Sequence, residues 1–397
     1  FLKKNNFVRY DGLRGLGHGV LETGFGVFIL LIAIRFWEAP SFYKGALSGG
    51  GSLGLILTPI ILGFFSRNPF SDSKKCAFFM IATAAFIFFA SFVSSLILFT
   101  VLLVLAQICL SQVPSLMIRV YSEVYQNNER GRKLAFNLIF STLGGLISSY
   151  FFGTYLDASD ASFQVVLWGM SIAALLSAAS LMRMKVPISI ASDTRQQTSL
   201  RNIIRVPLDD RLFLRILIAW MILGFGAIMT FPLRVEYLSR ENQLNLSNQE
   251  IAIVTVMIFF GAKTLSMTIW GKLFDRMHFM KFRILLNLFM TVAIIIYFNS
   301  NTLPGVMCGS ALAGAGMGGA SLAWTLWVTK LAPRGREKDY MSIHMALTGL
   351  RGATAPFAGY FLEEFIGFDG VSLVSTCLII FASLVFATTL KHPRLKI

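Results

Sequence analysis

Apolar residues in this chain come in long, nearly unbroken runs, without the strict alternation of a half-buried strand or the single stripe of a surface helix. Twelve of these runs cover residues 13–36, 43–65, 76–95, 98–122, 134–156, 162–183, 213–237, 249–273, 281–299, 303–330, 341–364 and 370–390. Each reaches the length of about 20 residues that a helix needs to cross a bilayer. Glycine and proline inside them are compatible with helix, because small residues let membrane helices approach and neighbours re-satisfy freed backbone groups. The least hydrophobic long stretch, 185–211, includes Ser192-Asp193-Thr194-Arg195-Gln196-Gln197 and reads as a linker.

The pattern repeats. Gly24-Phe25-Gly26 returns as Gly224-Phe225-Gly226, Gly63 as Gly271, and Arg130-Gly131-Arg132 as Arg334-Gly335-Arg336. Gly153-Thr154-Tyr155-Leu156 returns as Gly359-Tyr360-Phe361-Leu362. Echoes in register across the chain predict two related halves, a common transporter architecture. The expected fold is an all-α integral membrane protein of twelve transmembrane helices in two pseudo-symmetric six-helix bundles. They would occupy residues 1–184 and 213–397, joined by a linker over 185–212.

Composition agrees: 55% of residues are apolar, 14% are charged, and phenylalanine alone occurs 37 times. A net charge of +15 could indicate nucleic acid, so the placement of the charges decides the matter. With the N-terminus inside, 28 of the 35 Lys and Arg fall in predicted cytoplasmic segments, against Arg35, Lys44, Arg234 and Arg240 outside. Arg119, Lys263 and Arg351 fall at membrane depth. The positive-inside rule then puts both termini in the cytoplasm of a multi-pass plasma-membrane protein, a bacterial inner membrane being the expected one, with no role for nucleic acid. The start at Phe1 implies that a few residues precede it, and Lys3-Lys4 before the first run reads as a retained span rather than a cleaved signal. Cys76, Cys109, Cys308 and Cys377 sit in four different runs without metal or disulfide spacing, so no metal and no cofactor are expected.

The segment Trp270-Gly271-Lys272-Leu273-Phe274-Asp275-Arg276, followed by Lys281 and Arg283, resembles the signature between helices eight and nine of the Major Facilitator Superfamily. Glu123 and Glu129-Arg130-Gly131-Arg132 resemble its junction between helices four and five. With the repeats, the resemblance covers essentially the whole chain and implies alternating access around a central site. An Asp at a helix C-terminus is disfavoured by the helix dipole unless it caps a neighbouring helix or pairs with Arg, so such a cluster can latch one conformation. Gly271, Asp275, Arg276, Arg119, Glu123, Glu129, Arg130, Arg132, Arg334 and Arg336 are the gating residues expected on this basis; the alternative is that these charges only anchor topology. The chain also departs from the family. Gly63-Phe64-Phe65-Ser66-Arg67 puts Arg67 where the second half has Asp275. Leu103-Val104-Leu105-Ala106-Gln107-Ile108 lacks the helix-four arginine of many proton-coupled members, and Thr142-Leu143-Gly144-Gly145-Leu146 lacks the antiporter proline.

Ionisable side chains at membrane depth cost roughly 2.5–3.5 kcal/mol on insertion scales, so they mark cavities. Glu22, Lys263 and Arg351 are such groups, and the repeat aligns them with Ile222, about Leu55 and about Gly145. The acid thus belongs to one half and both bases to the other. Either the cations hold an anionic substrate while Glu22 takes a proton, or Glu22 bridges to a cation that substrate displaces. His18, four residues before Glu22 and on the same helical face, could relay the proton. Gln107, Asn137, Trp324 and Trp327 could complete the lining, although core packing accounts for a Trp equally well.

Soluble motifs fail on context. Gly314, Gly316 and Gly319 satisfy G-x-G-x-x-G inside an apolar helix with no preceding strand, and Gly261-Ala262-Lys263-Thr264 lacks the upstream glycine of a phosphate loop. No ATPase motif is present, so energy would come from a gradient, the proton being the expected coupling ion. Arg9-Tyr10-Asp11-Gly12-Leu13-Arg14-Gly15 resembles the opening of integral-membrane acyltransferases, where His18 would be catalytic, and a non-transporting sensor on the same fold is the other rival. The sequence reads foremost as a monomeric, non-enzymatic secondary transporter of a small solute, with substrate and direction open.

Overall fold

The computed structural model describes residues 2–65, 70–184, 186, 206–333 and 336–395. Among them, eleven helices are long and apolar enough to cross a membrane. They are α1 (Asn6–Arg35), α2 (Ser41–Phe65), α3 (Asp72–Ala90), α4 (Leu96–Val124), α5 (Gly131–Leu156), α6 (Phe163–Arg183), α7 (Arg211–Ser239), α8 (Asn248–Arg276), α9 (Phe279–Phe298), α10 (Leu303–Trp324) and a last one over Asp339–Thr388. That last helix has 50 residues, which at 1.5 Å per residue is more than twice the roughly 30 Å of hydrocarbon. It breaks at Gly367, whose φ of 67° and ψ of 179° only glycine adopts without strain, giving α11 (339–366) and α12 (368–388). Twelve spans therefore arise from eleven helical runs.

The chain clusters into two compact units, one of Phe1–Thr194 with Ser247–Ile253, the other of Arg195–Leu246 with Val254–Ile397. In the first, α1 and α5 pack backbone to backbone. A Cβ on Gly19 would overlap the Ser141 carbonyl oxygen, and one on Gly144 would overlap that of Leu16. Small residues thus bring two helices closer than side chains would allow, as membrane packing requires. At one end of this contact lies a buried polar knot. Arg14 Nε donates to Asp11 Oδ1 at 2.9 Å and Arg14 Nη2 to the Tyr121 hydroxyl at 2.7 Å. The Tyr121 hydroxyl in turn donates to Asp11 at 2.9 Å, and Asn137 Nδ2 donates to the Asp11 carbonyl at 2.6 Å. The knot ties α1, α4 and α5 together.

The first turn of α8 also belongs to this unit. Asp157, just past α5, accepts from the Asn248 and Gln249 backbone amides at 2.7 and 2.9 Å, placing an anion on the otherwise unpaired amides of a helix N-terminus. Ser247 and Glu250 add a reciprocal capping box. From Val254 onward the helix belongs to the second unit, and the change falls inside a π-helical stretch, Ile253–Ile258. A second π-helical stretch, Gly24–Phe28, interrupts α1.

In the second unit Asp210 caps α7, accepting from the Phe213 amide at 3.1 Å, the Tyr340 hydroxyl at 2.8 Å and Arg394 at 2.9 Å. Burial pushes the Asp210 carboxyl up, but those three donors outweigh it and hold it below the ordinary carboxylate value. Its contribution to stability is therefore complete above about pH 4 and is lost only as pH falls through the lowered native value. Aromatic rings fill the core next to this cap: Phe213, Trp327, Trp220 and Phe279 follow one another nearly parallel, with interplanar angles of 14°, 12° and 6°.

Candidate transport site

Arg351 on α11 is the most constrained of the sequence-predicted residues. Its Nη1 donates to the Trp220 carbonyl on α7 at 2.6 Å, and its Nε has no partner among the described residues. The guanidinium lies on Gly224, where a Cβ would overlap Nη1 and Cζ. This gives the repeated Gly-Phe-Gly a different role in each half: Gly224 makes room for a cation, whereas Gly24 meets Met170. Lys263 on α8 is partly exposed, with Nζ 5.3 Å from the Phe260 ring centroid, and has no ion pair among the described residues. Trp327 is fully buried in the ring stack, and Trp324 is half-buried beside it.

In the first unit Glu22 is exposed on α1 and has no hydrogen bond or ion pair among the described residues. His18 lies one turn away, within electrostatic reach of it, and His18 Nδ1 has no hydrogen-bond partner there. Gln107 and Asn137 both spend their amides on backbone. Gln107 Nε2 donates to the Leu47 carbonyl at 2.8 Å and its Oε1 accepts from the Gly51 amide at 3.0 Å, tying α4 to α2, while Asn137 belongs to the Asp11 knot. Asp11 and Arg14, part of the acyltransferase-like opening, are held in that knot as well.

The expected gating residues are dispersed. Arg119 pairs with Asp72 at 3.2 Å rather than with Glu123, and Asp72 also pairs with Lys75 at 3.4 Å. Glu123 and Arg132 are exposed, and the Glu129 amide donates to the Gln126 carbonyl at 3.0 Å. Arg336 pairs locally with Asp339 at 3.7 Å. Gly271 faces open space, and Asp275 and Arg276 are exposed, with no ion pair on Asp275 among the described residues. Arg334 and the Arg130 side chain lie outside the described residues.

Several polar groups of the second unit were not among the site residues expected from the sequence. Arg283 stacks on Trp220, its Cζ 4.8 Å from the ring, and donates to Asn287 at 3.0 Å. Arg234 lies over Phe231 and Phe259 at 4.3 and 4.8 Å. His344, completely buried on α11, touches Trp220, Trp324 and Trp327. Its position seven residues before Arg351 puts it two turns away on the same helical face, and that spacing could have revealed it. Glu236 and Glu363, both buried in apolar helices, clamp Arg240 at 2.6 Å each. Arg240 and Glu363 also line a cavity of about 470 Å³, together with Asn242, Gln243, Asn299 and Asp369. The chemistry of the unit is thus asymmetric: Arg240 has two carboxylates, whereas Arg234, Lys263, Arg283 and Arg351 have none among the described residues.

Solved structures with a similar fold include transporters. That of the nucleoside transporter NupG superposes with a TM-score of 0.77 at 12% identity, over 99% of this chain and all of that one. The partially occluded, inward-open xylose transporter XylE from E. coli gives 0.72 at 16% identity over the whole of both chains. A bacterial homologue of the human lysosomal transporter Spinster gives 0.68 at 14%, over 99% of this chain and 98% of that one. Identities this low speak for the fold alone. No individual curated protein sequence matches the chain. The Major Facilitator Superfamily as a whole does match, over residues 15–241 and again over 235–396. Twelve spans, an internal duplication and that double match place the chain in the Major Facilitator Superfamily, as a multi-pass membrane transporter of small solutes.

Proposed function

We propose that the protein carries a small carboxylate- or phosphate-bearing anion across the plasma membrane together with a proton, by alternating access. The observation that carries this reading is the Arg351 guanidinium, held at membrane depth on Gly224 by a single carbonyl and lacking a carboxylate among the described residues. A cation in that position is costly unless something neutralises it, and a substrate anion does so without a permanent partner that would compete. Lys263 supplies a second such charge, on another helix of the same unit. Glu22 and His18 offer groups for the proton in the first unit.

The test is uptake by proteoliposomes of the purified full chain, offered labelled succinate, benzoate and inorganic phosphate beside the neutral solutes xylose and uridine. Uptake of at least one anion, faster with acid outside, is the expected result. Transport of the neutral solutes alone would sink the anionic reading while leaving a transporter.

Orientation follows from the basic residues, with both termini and the 185–212 linker in the cytoplasm. In a background without native cysteines, impermeant thiol reagents added outside should label cysteines placed at Ser41 and Asn245, but not one at Thr194, which lies outside the described residues. Labelling at Thr194 alone would invert the topology.

A further inference from the structure

Two arginines near the end of α7 are provided for in opposite ways. Arg240, just past the helix, is held by Glu236 and Glu363 at 2.6 Å each. Arg234, still inside the helix, has no ion pair among the described residues, and its Nε reaches only the Phe231 carbonyl of its own turn, at 3.4 Å, beyond the usual N–H···O range. Its Nη1 is shielded from solvent and has no hydrogen-bond partner among the described residues. The Phe231 and Phe259 rings lie 4.3 and 4.8 Å from its Cζ. Contact with ring faces offsets part of the cost of desolvating a cation, but it supplies no counter-charge and leaves the Nη1 donors unmet.

The same side chain lines a small cavity between α7, α9 and α10. About 10 Å³ is open there, which is room for a single occupant of roughly the size of a water molecule or a small ion. Its walls are mostly carbon, from Phe231, Met290, Ala293, Ile294 and Ala313. The two hydroxyls that also line it are committed to backbone: Thr230 Oγ1 donates to the Ala227 carbonyl at 2.8 Å, and the Tyr297 hydroxyl to the Arg234 carbonyl at 3.2 Å. The cavity therefore presents one guanidinium and otherwise apolar contacts. A carboxylate or phosphate has several oxygens to satisfy and needs more donors and more room than this. Water would meet the Nη1 donors but not the charge. A monatomic anion meets both, and a sphere with no directional lone pairs tolerates carbon walls.

We infer that Arg234 holds a halide ion, chloride being the abundant one, as a resident counter-ion inside the second unit. The ion stands where a carboxylate stands for Arg240, and it stabilises the folded chain by mass action because the unfolded chain has no such site. It is bound, not carried. The cavity is too small for a carboxylate-bearing solute, and the inference does not depend on what Arg351 binds.

Equilibrium dialysis of the purified full chain against radiolabelled chloride tests it directly. Wild type should retain about one chloride per chain, displaced by bromide but not by gluconate or inorganic phosphate. Arg351→Ala should retain the ion as well. Arg234→Gln should lose it, and Ala313→Val, which keeps the charge but narrows the cavity, should weaken binding at least about tenfold. Replacing chloride by gluconate at equal ionic strength should lower the midpoint of thermal unfolding of wild type and of Arg351→Ala, and leave that of Arg234→Gln unchanged. Wild type that retains no chloride, or chloride that survives Arg234→Gln, overturns the assignment. Chloride that is lost with Arg351→Ala overturns it too, and moves the ion to the transport site. Should Arg234→Gln not fold, undiminished binding by Ala313→Val rules out the cavity.

Discussion

Arg351→Ala is expected to abolish anion uptake in proteoliposomes while the purified protein remains monodisperse. On the anionic reading the substitution removes the charge that meets the substrate, and losing one partner of a desolvated, hydrogen-bonded charge pair costs about 2–5 kcal/mol, or roughly 30- to several-thousand-fold in affinity. Lys263→Ala should have the same sign and a smaller size, because Lys263 is partly exposed and solvent screens its charge. Arg351→Lys should restore part of the binding, since it keeps the charge but loses the planar donor that meets the Trp220 carbonyl at 2.6 Å. Gly224→Ala offers an independent check, because its Cβ would displace the guanidinium without touching its charge. That variant should weaken anion binding at least tenfold and leave the α7–α11 pairing otherwise in place. Normal uptake by both Arg351→Ala and Lys263→Ala would make these charges structural and end the anionic reading.

The second large effect concerns stability. Asp11→Ala leaves Arg14 charged, buried and facing the Tyr121 hydroxyl without its carboxylate. Breaking a buried pair on one side costs about 3–5 kcal/mol, because the survivor keeps its desolvation penalty. The variant should show a sharply lower midpoint of thermal unfolding and a smaller monodisperse fraction in size-exclusion chromatography. Removing both charges, as Asp11→Ala with Arg14→Met, should recover much of the loss, since a well-packed apolar side chain can replace a buried pair at little cost. An Asp11→Ala single variant as stable as wild type would show that the knot does not hold α1, α4 and α5 together.

The two effects separate what the two polar clusters do. Asn137 looked like a cavity residue because a polar group in an apolar helix is conspicuous, yet its amide closes the Asp11 knot at 2.6 Å. Gln107 was equally conspicuous and stitches α4 to α2. Arg119 lies four residues from Glu123, but its ion pair is with Asp72 on α3. Spacing along one helix identifies the side chains that could meet. It does not show which groups on other helices will reach them, and Asn137, Gln107 and Arg119 all found partners on another helix.

Much could be read from the chain by itself because hydrophobicity and charge act locally. A run of about 20 apolar residues must become a helix in lipid whatever surrounds it, which is why the spans, their repeat and the family signature were all legible. The break between the last two expected spans falls at Gly367, where a residue without a Cβ takes a φ of 67° and turns the backbone. The fate of each polar group was different. That Gly224 makes room for Arg351, that Asp157 caps the first turn of α8, and that His344 is boxed by three indoles while Glu236 and Glu363 clamp Arg240 depended on partners distant in sequence. A charge or an imidazole inside a membrane protein is worth what its neighbours make it, and only tertiary structure chooses those neighbours.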